Sequence, residues 1–491
     1  MITDTSTLPS THLKPYPAMK DSGVPWLGEV PEHWEIKRGK NLFRCIDIRS
    51  STGNEELLTV SSNRGVVPRS SATVTMFKAE SYVGYKLCWP GDLVINSLWA
   101  WAGGLGVSRR HGIVSSAYGV YRLRAPFTDC SSYIHELVRS TPFQWELQVR
   151  SKGIWISRLQ LTDIAFLEAP FPLPPPGEQS AIVRFLDHYN RKIRHYIRAK
   201  QKLIKLLEEQ KQAIIHQAVT RGLDPNVRLK PSGVEWLGDV PEHWEVRKLG
   251  QIAVSFRTGP FGSILHQSDY VEGGTPVINP THMTHGNIVE DTRCSVPLAV
   301  TNRLSNYRLD KYDLIFSRRG ELGRCALVRG REVGWLCGTG TIRVRIAYES
   351  IEPEYLIQSL QVRWVGEYLS LISVGATMDS LNTGILKEVP VLLPPVNEQP
   401  ILLKHIAKET CNIDRVMADA LRQISLLQEY RTRLIADVVT GKVDVRKAAT
   451  YLPDEAKEEE SFEEPEELGE NDGAEEQQET RDSRDESDSS D

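Results

Sequence analysis

The chain has 491 residues, enough for two or three domains, and a formal net charge of -5. The charge is uneven: residues 449–491 hold 19 acidic and three basic residues, and the other residues hold 56 basic and 45 acidic ones, a net of +11. A basic body fits a polyanionic partner, and an acidic tail poor in aromatic residues is typical of disorder.

Cysteine usage and hydropathy exclude several classes of protein. The seven cysteines form no C-x-x-C pair, so neither a disulfide framework nor a zinc site is indicated. No basic start is followed by an early apolar stretch, and no run approaches the ~20 apolar residues of a membrane helix. We therefore expect a cytoplasmic protein, with residues 1–20 as a flexible N-terminal segment.

The strongest signal is an internal repeat. SGVPWLGEVPEHWEIKR at Ser22–Arg38 recurs as SGVEWLGDVPEHWEVRK at Ser232–Lys248, with twelve of 17 positions identical. LPPPGEQ at Leu173–Gln179 recurs as LPPVNEQ at Leu393–Gln399. Because these Trp- and His-rich segments recur in the same order, the chain is predicted to be two copies of one unit.

Each copy is predicted to begin with a mixed α/β domain. Short β-branched and aromatic runs are predicted strands; they are Asp92–Ser97, Gly119–Leu123, Asp313–Ser317 and Thr341–Ile346. The frames of the two domains match, and GDLVINS pairs weakly with YDLIFS, but the interiors are largely dissimilar. The domains are therefore predicted to share a fold and to differ in what they contact.

Each copy is predicted to end in one long helix. Apolar residues recur at alternating spacings of three and four after Glu178 and after Glu398, which is typical of a coiled-coil seam. Each Glu is expected in the first helical turn, where a negative charge suits the helix dipole. A single apolar stripe needs a partner, so we expect the two helices to pair antiparallel. The alternative is two separate helical hairpins, each of which folds on its own domain.

The predicted fold class is α+β, with two mixed domains separated by a pair of long antiparallel coiled-coil helices in a pseudo-twofold tandem repeat. The predicted boundaries are residues 21–172 for the first domain, 173–230 for the first helical spacer, 231–392 for the second domain, 393–448 for the second spacer and 449–491 for a disordered acidic tail.

Motifs for catalysis are missing from the sequence. The nearest approach to an adenine-binding N-P-P-Y motif is Asn279-Pro280-Thr281-His282, and no G-x-x-x-x-G-K-[ST] phosphate loop is present. Glu35-Ile36-Lys37 resembles a nuclease E-x-K, but it lies in the repeated frame and is interpreted as structural. The chain is therefore expected to have no catalytic residues, no cofactor and no metal of its own.

The two frame motifs, the two LPPxxEQ motifs and the long helical patterns resemble the specificity subunit of Type I restriction-modification enzymes, over nearly all of residues 22–446. The resemblance implies two target-recognition domains, each reading one half of an asymmetric two-part site in double-stranded DNA. It implies helices that dock two adenine-N6 methyltransferase subunits and two motor-nuclease subunits. S-adenosylmethionine, ATP and Mg²⁺ are implied for those partner subunits.

Candidate DNA contacts are Arg, Lys, Asn, His and Trp side chains beside Gly-rich loops, where the backbone can approach a duplex. In the first domain they are Asn63, Arg64, Arg69, Lys86, Arg109, Arg110, Lys152, Trp155 and Arg158. In the second they are Arg257, Asn279, His282, Arg318, Arg319 and Arg324. For each of them, ordinary solvated surface charge is the alternative. Trp99 and Trp101 could wedge against bases, but they are expected to pack in the core.

Two other functions stay open at this point. One is a stand-alone DNA-binding regulator or antirestriction scaffold of the same architecture, which a co-purifying methyltransferase would exclude. The other is an enzyme whose site has no recognised motif.

Overall fold

The computed structural model describes residues 13–72, 81–153, 159–234, 237–261, 264–347, 351–373 and 381–453. The chain divides into two compact units. Unit 1 combines Met1–Arg198 with Gln423–Asp491, and unit 2 is Ala199–Arg422. Each unit therefore contains one whole mixed domain and part of each long helix. No helix among these residues combines the length and apolarity needed to cross a membrane.

The strands described in unit 1 are short and pair antiparallel within their sheets. They are β1 (Met19–Asp21), β2 (Glu29–Pro31), β3 (Glu35–Arg38), β4 (Phe43–Cys45), β5 (Leu58–Ser61), β6 (Gly65–Pro68), β7 (Lys86–Cys88), β8 (Leu93–Ile95), β9 (Leu105–Val107), β10 (Gly112–Val114), β11 (Gly119–Leu123) and β12 (Pro170–Leu173). The main sheet has the order β4-β11-β8-β9. The α-helices of unit 1 are α1 (Gly39–Leu42), α2 (Ser131–Val138), α3 (Thr141–Arg150) and α4 (Asp163–Leu167). They are followed by the long helix α5 (Pro176–Arg221).

Unit 2 contains a second four-stranded sheet of the same topology, in the order β16-β24-β21-β22. Its strands are β13 (Leu229–Pro231), β14 (Asp239–Pro241), β15 (Glu245–Lys248), β16 (Ala253–Thr258), β17 (Thr275–Ile278), β18 (Met283–Thr284), β19 (Asn287–Ile288), β20 (Ser295–Val296), β21 (Leu314–Ser317), β22 (Cys325–Leu327), β23 (Leu336–Cys337), β24 (Thr341–Ile346) and β25 (Pro390–Leu393). The helices of unit 2 are α6 (Leu249–Ile252), α7 (Leu298–Arg303), α8 (Pro353–Leu360), α9 (Arg363–Ser373) and α10 (Thr383–Lys387). They are followed by the long helix α11 (Gln399–Val439) and by α12 (Arg446–Thr450).

Both units hold their domain on a long helix through the repeated PEHW motif. In unit 1 the Glu178 carboxylate accepts hydrogen bonds from Trp34 Nε1 at 2.8 Å and from Tyr16 Oη, and it lies 2.8 Å from His33 Nε2. Glu178 lies in the first turn of α5, as predicted. Burial and the adjoining Glu178 carboxylate raise the pKa of Tyr16. The His and Trp recur in the sequence because they bind the acid that begins the next helix.

Unit 2 has the same junction in a more open form. Trp244 Nε1 donates to Glu398 at 3.2 Å, and His243 Nε2 lies 2.9 Å from the same carboxylate. Glu398 directly precedes α11, one position earlier than the first turn. The side chain of Glu398 is 26% exposed, against 5% for Glu178.

The core of each unit uses opposite ends of the two long helices. In unit 1, Phe185 and Leu186 near the start of α5 share a core with Leu434 and Val438 near the end of α11. In unit 2, the last turns of α5 share a core with the first turns of α11. The alternative, in which each helix packs only on its own domain, is therefore contradicted. The predicted α+β class is confirmed, with two long helices in a mixed structure.

Both chain ends described by the structure differ from the expectation of flexible segments. Tyr16 is 4% exposed, and the Asp444 amide donates to the carbonyl oxygen of Lys14 at 2.8 Å. Ala449, at the start of the predicted tail, is 3% exposed in the unit 1 core. These segments are packed because they bury apolar side chains that net charge does not reveal. The acidic run itself lies outside the described residues.

Candidate nucleic-acid interface

One end of the unit 2 sheet collects most of the candidates of the second domain. Arg318 and Arg319 follow the end of β21, Arg324 precedes β22, and Asn279 follows β17. The Arg318 amide donates to Gly340 O at 2.9 Å, and Arg324 Nη1 donates to Pro280 O at 3.3 Å. These two hydrogen bonds bring the loops that follow β17 and β21 and the loop that precedes β24 together at one edge of the sheet.

Close backbone packing fixes this edge. A Cβ on Gly338 would lie 2.4 Å from Asn279 Oδ1, and one on Gly259 would lie 1.8 Å from Gly338 O. Only glycine therefore fits where these loops meet. Arg257 is exposed one residue before the end of β16, with its guanidinium 5.9 Å from the Tyr307 ring centre.

His282 lies in the same region but is not available to a duplex. Its ring is 7% exposed, and Nδ1 accepts the Asn279 N–H at 3.2 Å. His282, Asp291 and Cys294 also bring together ligand types that suit a metal. However, because Nδ1 accepts a hydrogen bond, the ring proton is on Nε2, which faces Asp291 at 4.0 Å. The arrangement therefore acts as a structural cap rather than a set of free ligands.

The equivalent end of the unit 1 sheet collects part of the first set. Asn63 and Arg64 lie in the β5–β6 turn, and Lys86 Nζ donates to Tyr118 O at 2.7 Å just before β11. The Lys152 amide and carbonyl both pair with Gln160. Trp155 and Arg158, which come between these two residues in the chain, lie outside the described residues.

The remaining candidates of unit 1 lie elsewhere. Arg109 and Arg110 follow the C-terminal end of β9, at the sheet end opposite to the loop between β8 and β9. The Ser108 amide donates to Asp92 O at 2.8 Å, which places these arginines beside the start of β8. Arg110 pairs with Glu56 at 3.3 Å. Arg69 follows the end of β6, away from the turn, with its amide on Leu57 O. The sequence placed them in one group with Asn63, because the sequence of a charged loop does not reveal at which end of a sheet the loop lies.

Sequence reasoning misplaced an aromatic pair at this edge. Trp99 and Trp101 are half-buried in the loop between β8 and β9, stacked with ring centroids 5.9 Å apart and an interplanar angle of 23°. They do not belong to the unit 1 core, contrary to the expectation. A Cβ on Gly104 would lie 2.8 Å from Trp99 O, so the glycines after the pair signalled a tight loop.

The two loops are equivalent but carry different chemistry. Leu161 N donates to Ser97 O at 2.9 Å, and Leu381 N donates to Arg318 O at the same distance. These bonds anchor matching positions of the two loops, one rich in tryptophan and the other in arginine. Stacking surfaces and guanidinium donors recognise different features of nucleic acid.

The opposite sheet ends are matched in sequence and structure. Arg122 makes two 2.7 Å hydrogen bonds to buried Asp92, and Arg345 makes two 2.9 Å bonds to buried Asp313. These pairs hold the same strands in both units. The units therefore share a frame and differ at one edge.

Comparison with known proteins shows which proteins this chain resembles. Residues 241–414 match the model of the Type I restriction modification DNA specificity domain. The chain is 22% identical over 304 residues to the MjaVIII specificity subunit of Methanocaldococcus jannaschii, covering 61% of this chain and 68% of that protein. It is 21% identical over 327 residues to the EcoKI specificity subunit of Escherichia coli K12, covering 64% and 66%.

Solved structures agree on the fold. A chain from a structural study of complex assembly and conformational transition of the type I R-M system superposes with a TM-score of 0.55 at 16% identity. The match covers 84% of this chain and 98% of that one. The two relatives are named specificity subunits of type I restriction enzymes. The chain is therefore similar to the DNA specificity subunits of Type I restriction-modification enzymes, in sequence over part of its length and in fold over most of it.

Proposed function

We propose that the chain reads an asymmetric, two-part DNA sequence for a Type I restriction-modification complex, with each unit reading one half. The observation that carries this proposal is the pair of equivalent sheet edges with dissimilar side chains. Two identical edges would favour a palindrome, because each would select the same bases. Tryptophans at one edge and arginines at the other favour two different half-sites.

The partners in this proposal are methyltransferase subunits, which supply the adenine chemistry, and motor-nuclease subunits. Exposed leucines at matching positions of the long helices support docking there: Leu206 on α5 is 52% exposed, and Leu426 on α11 is 55% exposed. Single exposed leucines are common on protein surfaces, but the same exposed position on both equivalent helices suits a partner that binds twice. S-adenosylmethionine, ATP and Mg²⁺ would bind those partners.

The helix docking gives a direct prediction. Replacing both leucines by Glu should reduce co-purification of the methyltransferase at least about tenfold, because each charge would be desolvated in the interface. The measurement is pull-down of the co-expressed subunits. As a control, Glu at exposed Leu298 of α7 should leave co-purification unchanged. Equal recovery with the double variant would place the docking surface elsewhere.

The two-part reading is tested by exchanging residues 36–170 for the same region of a relative. Methylation mapping in cells that express the chain with its methyltransferase should show one half of the site changed and the other half kept. The reciprocal control exchanges residues 246–390 and should change the other half. Methylation of a palindrome, or of a site altered in both halves by one exchange, would contradict the proposal.

A further inference from the structure

Both units present a β-hairpin turn from the same place in the fold. In unit 1 the β5–β6 turn packs on β9: a Cβ on Gly106 would lie 3.1 Å from the Cα of Gly65. In unit 2 the β18–β19 turn packs on β22, where Gly286 forms a β-bridge with Ala326. Gly106 and Ala326 are the middle residues of equivalent edge strands.

The residue that follows α2 holds the turn in unit 1. Arg139 Nη2 donates to Ser62 O and to Asn63 O, both at 2.7 Å, and Nη1 donates to Leu105 O at 2.9 Å. Burial lowers the pKa of this guanidinium. A buried cation that donates to successive carbonyl groups of one turn fixes the main chain there.

The residue that follows α8 has the same place in unit 2. Gln361 Nε2 donates to Cys325 O at 3.4 Å, as Arg139 does to the matching residue of β9. A Cβ on Gly286 would lie 2.7 Å from Gln361 Nε2. Arg329 also donates to Gly286 O, at 3.2 Å. In unit 2 the carbonyl of the turn is therefore bound by Arg329, while Gln361 lies against Gly286 and binds the edge strand behind the turn.

The tips of the turns carry exposed polar side chains. Asn63 is exposed in unit 1 and His285 in unit 2. His285 has φ 47°, a left-handed conformation that Asn and Gly adopt more readily. Thr284 pairs with Asn287, so His285 and Gly286 form a two-residue hairpin loop, for which Asn-Gly is the favoured sequence. A histidine in place of Asn puts an exposed imidazole at the tip of this turn.

We infer that these two turns are equivalent DNA-contacting elements, with Asn63 and Arg64 contacting DNA in unit 1 and His285 in unit 2. Arg139 is the positioning residue in unit 1, and Arg329, backed by Gln361, is the positioning residue in unit 2. The inference rests on the proposed function and adds to it a contact residue absent from the first candidates. A side chain reads a base or groove only when its backbone is held to a fraction of an ångström, which is what the carbonyl contacts provide.

The test replaces His285 with Asn in the full-length chain bound to its methyltransferase. Asn-Gly suits the turn, so the unfolding temperature should stay equal or rise. Affinity for the mapped site should fall about tenfold, with discrimination lost in the second half only. Binding is measured by fluorescence anisotropy on duplexes altered in one half at a time. Val289→Thr, at an exposed position just past the hairpin, is the matched control and should bind as wild type.

Unit 1 gives an independent arm. Arg139→Gln installs the unit 2 side chain, which is too short to reach the carbonyls of both Ser62 and Asn63, and should lose discrimination in the first half only. Arg139→Lys keeps a cation near these carbonyls and should restore part of it. Asn63→Ala with Arg64→Ala should produce the same half-specific loss while hydrogen exchange of the α2 amides stays unchanged.

The outcomes separate this inference from the proposed function. If the wild-type complex selects no two-part site, the proposed function fails. If it selects one and His285→Asn keeps the same target and affinity, the inference is overturned. If His285→Asn instead loses discrimination in the first half of the DNA site, the inference is also overturned. Should Asn lower the unfolding temperature, His285→Gly, which accepts the same φ, repeats the comparison, and retained affinity would again overturn the inference.

Discussion

Replacing Glu178 with Ala is expected to destabilise unit 1 by about 3–4 kcal/mol, because it strands the buried Trp34 N–H and Tyr16 O–H without an acceptor. Each unsatisfied buried donor costs about 1–3 kcal/mol. The lost charge at the start of α5 adds about 0.3–1 kcal/mol. No other group among the described contacts of these two donors replaces the carboxylate.

The matched control is Glu398→Ala in unit 2. Its Trp244 hydrogen bonds are longer, at 3.2 and 3.3 Å, and water reaches the 26% exposed carboxylate. The expected cost is about 1 kcal/mol. A repeat that looks equal in sequence should thus be unequal in stability.

Hydrogen exchange resolved by peptide measures the two effects separately, since a chain of two units need not unfold in one step. Glu178→Ala should speed exchange in the unit 1 domain and also at residues 439–450, which pack in the same core. Unit 2 peptides should be unaffected. Equal effects of the two substitutions would show that the carboxylate contacts are not what stabilises the junction.

The sequence predicted the frame because its side chains bind one another. Trp34, His33 and Glu178 are rare enough as an ordered set to be recognised, and their contacts explain why they recur. The predicted strands Gly119–Leu123 and Thr341–Ile346 are found with the same bounds. Glu178 lies in the first turn of α5 as predicted, and Glu398 directly precedes α11.

The site was less predictable, because its geometry depends on contacts between distant residues. Arg139 binds carbonyls 76–78 residues earlier in the chain, and main-chain acceptors carry no sequence signal. His282 appeared accessible beside Asn279 but is buried by its own cap. The identity of a residue predicts that it can bind DNA, whereas sheet topology decides which edge presents it.

The periodicity of the long helices could not decide how they pair. An apolar seam shows that a helix packs against a partner, but it does not show which segment that partner is. The cores answer this: Phe185 of α5 and Val438 of α11 lie in one cluster, and Ile215 of α5 and Leu402 of α11 lie in another. Both helices therefore pass from one unit into the other, α5 after Arg198 and α11 after Arg422.

Because both helices connect the two units, we can predict the effect of lengthening them. If they set the spacing of the two reading edges, one added turn near Ala199 moves an edge by about 6 Å. DNA rises about 3.4 Å per base pair, so the unread spacer should grow by one or two pairs. Rotation agrees, since four residues overshoot a full turn by about 40° and one base pair turns DNA by about 35°.

A second insertion is required because α11 makes the same passage. Four residues added near Ala199 alone lengthen one connection and leave the other short, so the extra turn must bulge or break the shared seam. That variant should lose affinity. Four residues added near both Ala199 and Gln423 should restore binding, with both half-sites kept and the spacer lengthened. Two residues in each helix should bind worse, because they turn the apolar seam by about half a turn.

Methylation mapping of the three variants beside wild type decides among these outcomes. The paired insertion should methylate sites with the original halves and a spacer longer by one or two base pairs. The single insertion serves as the control for disturbance of the helix itself. An unchanged spacer in a fully active paired variant would mean that contacts through the methyltransferase subunits, rather than the helices, fix the distance between the two halves.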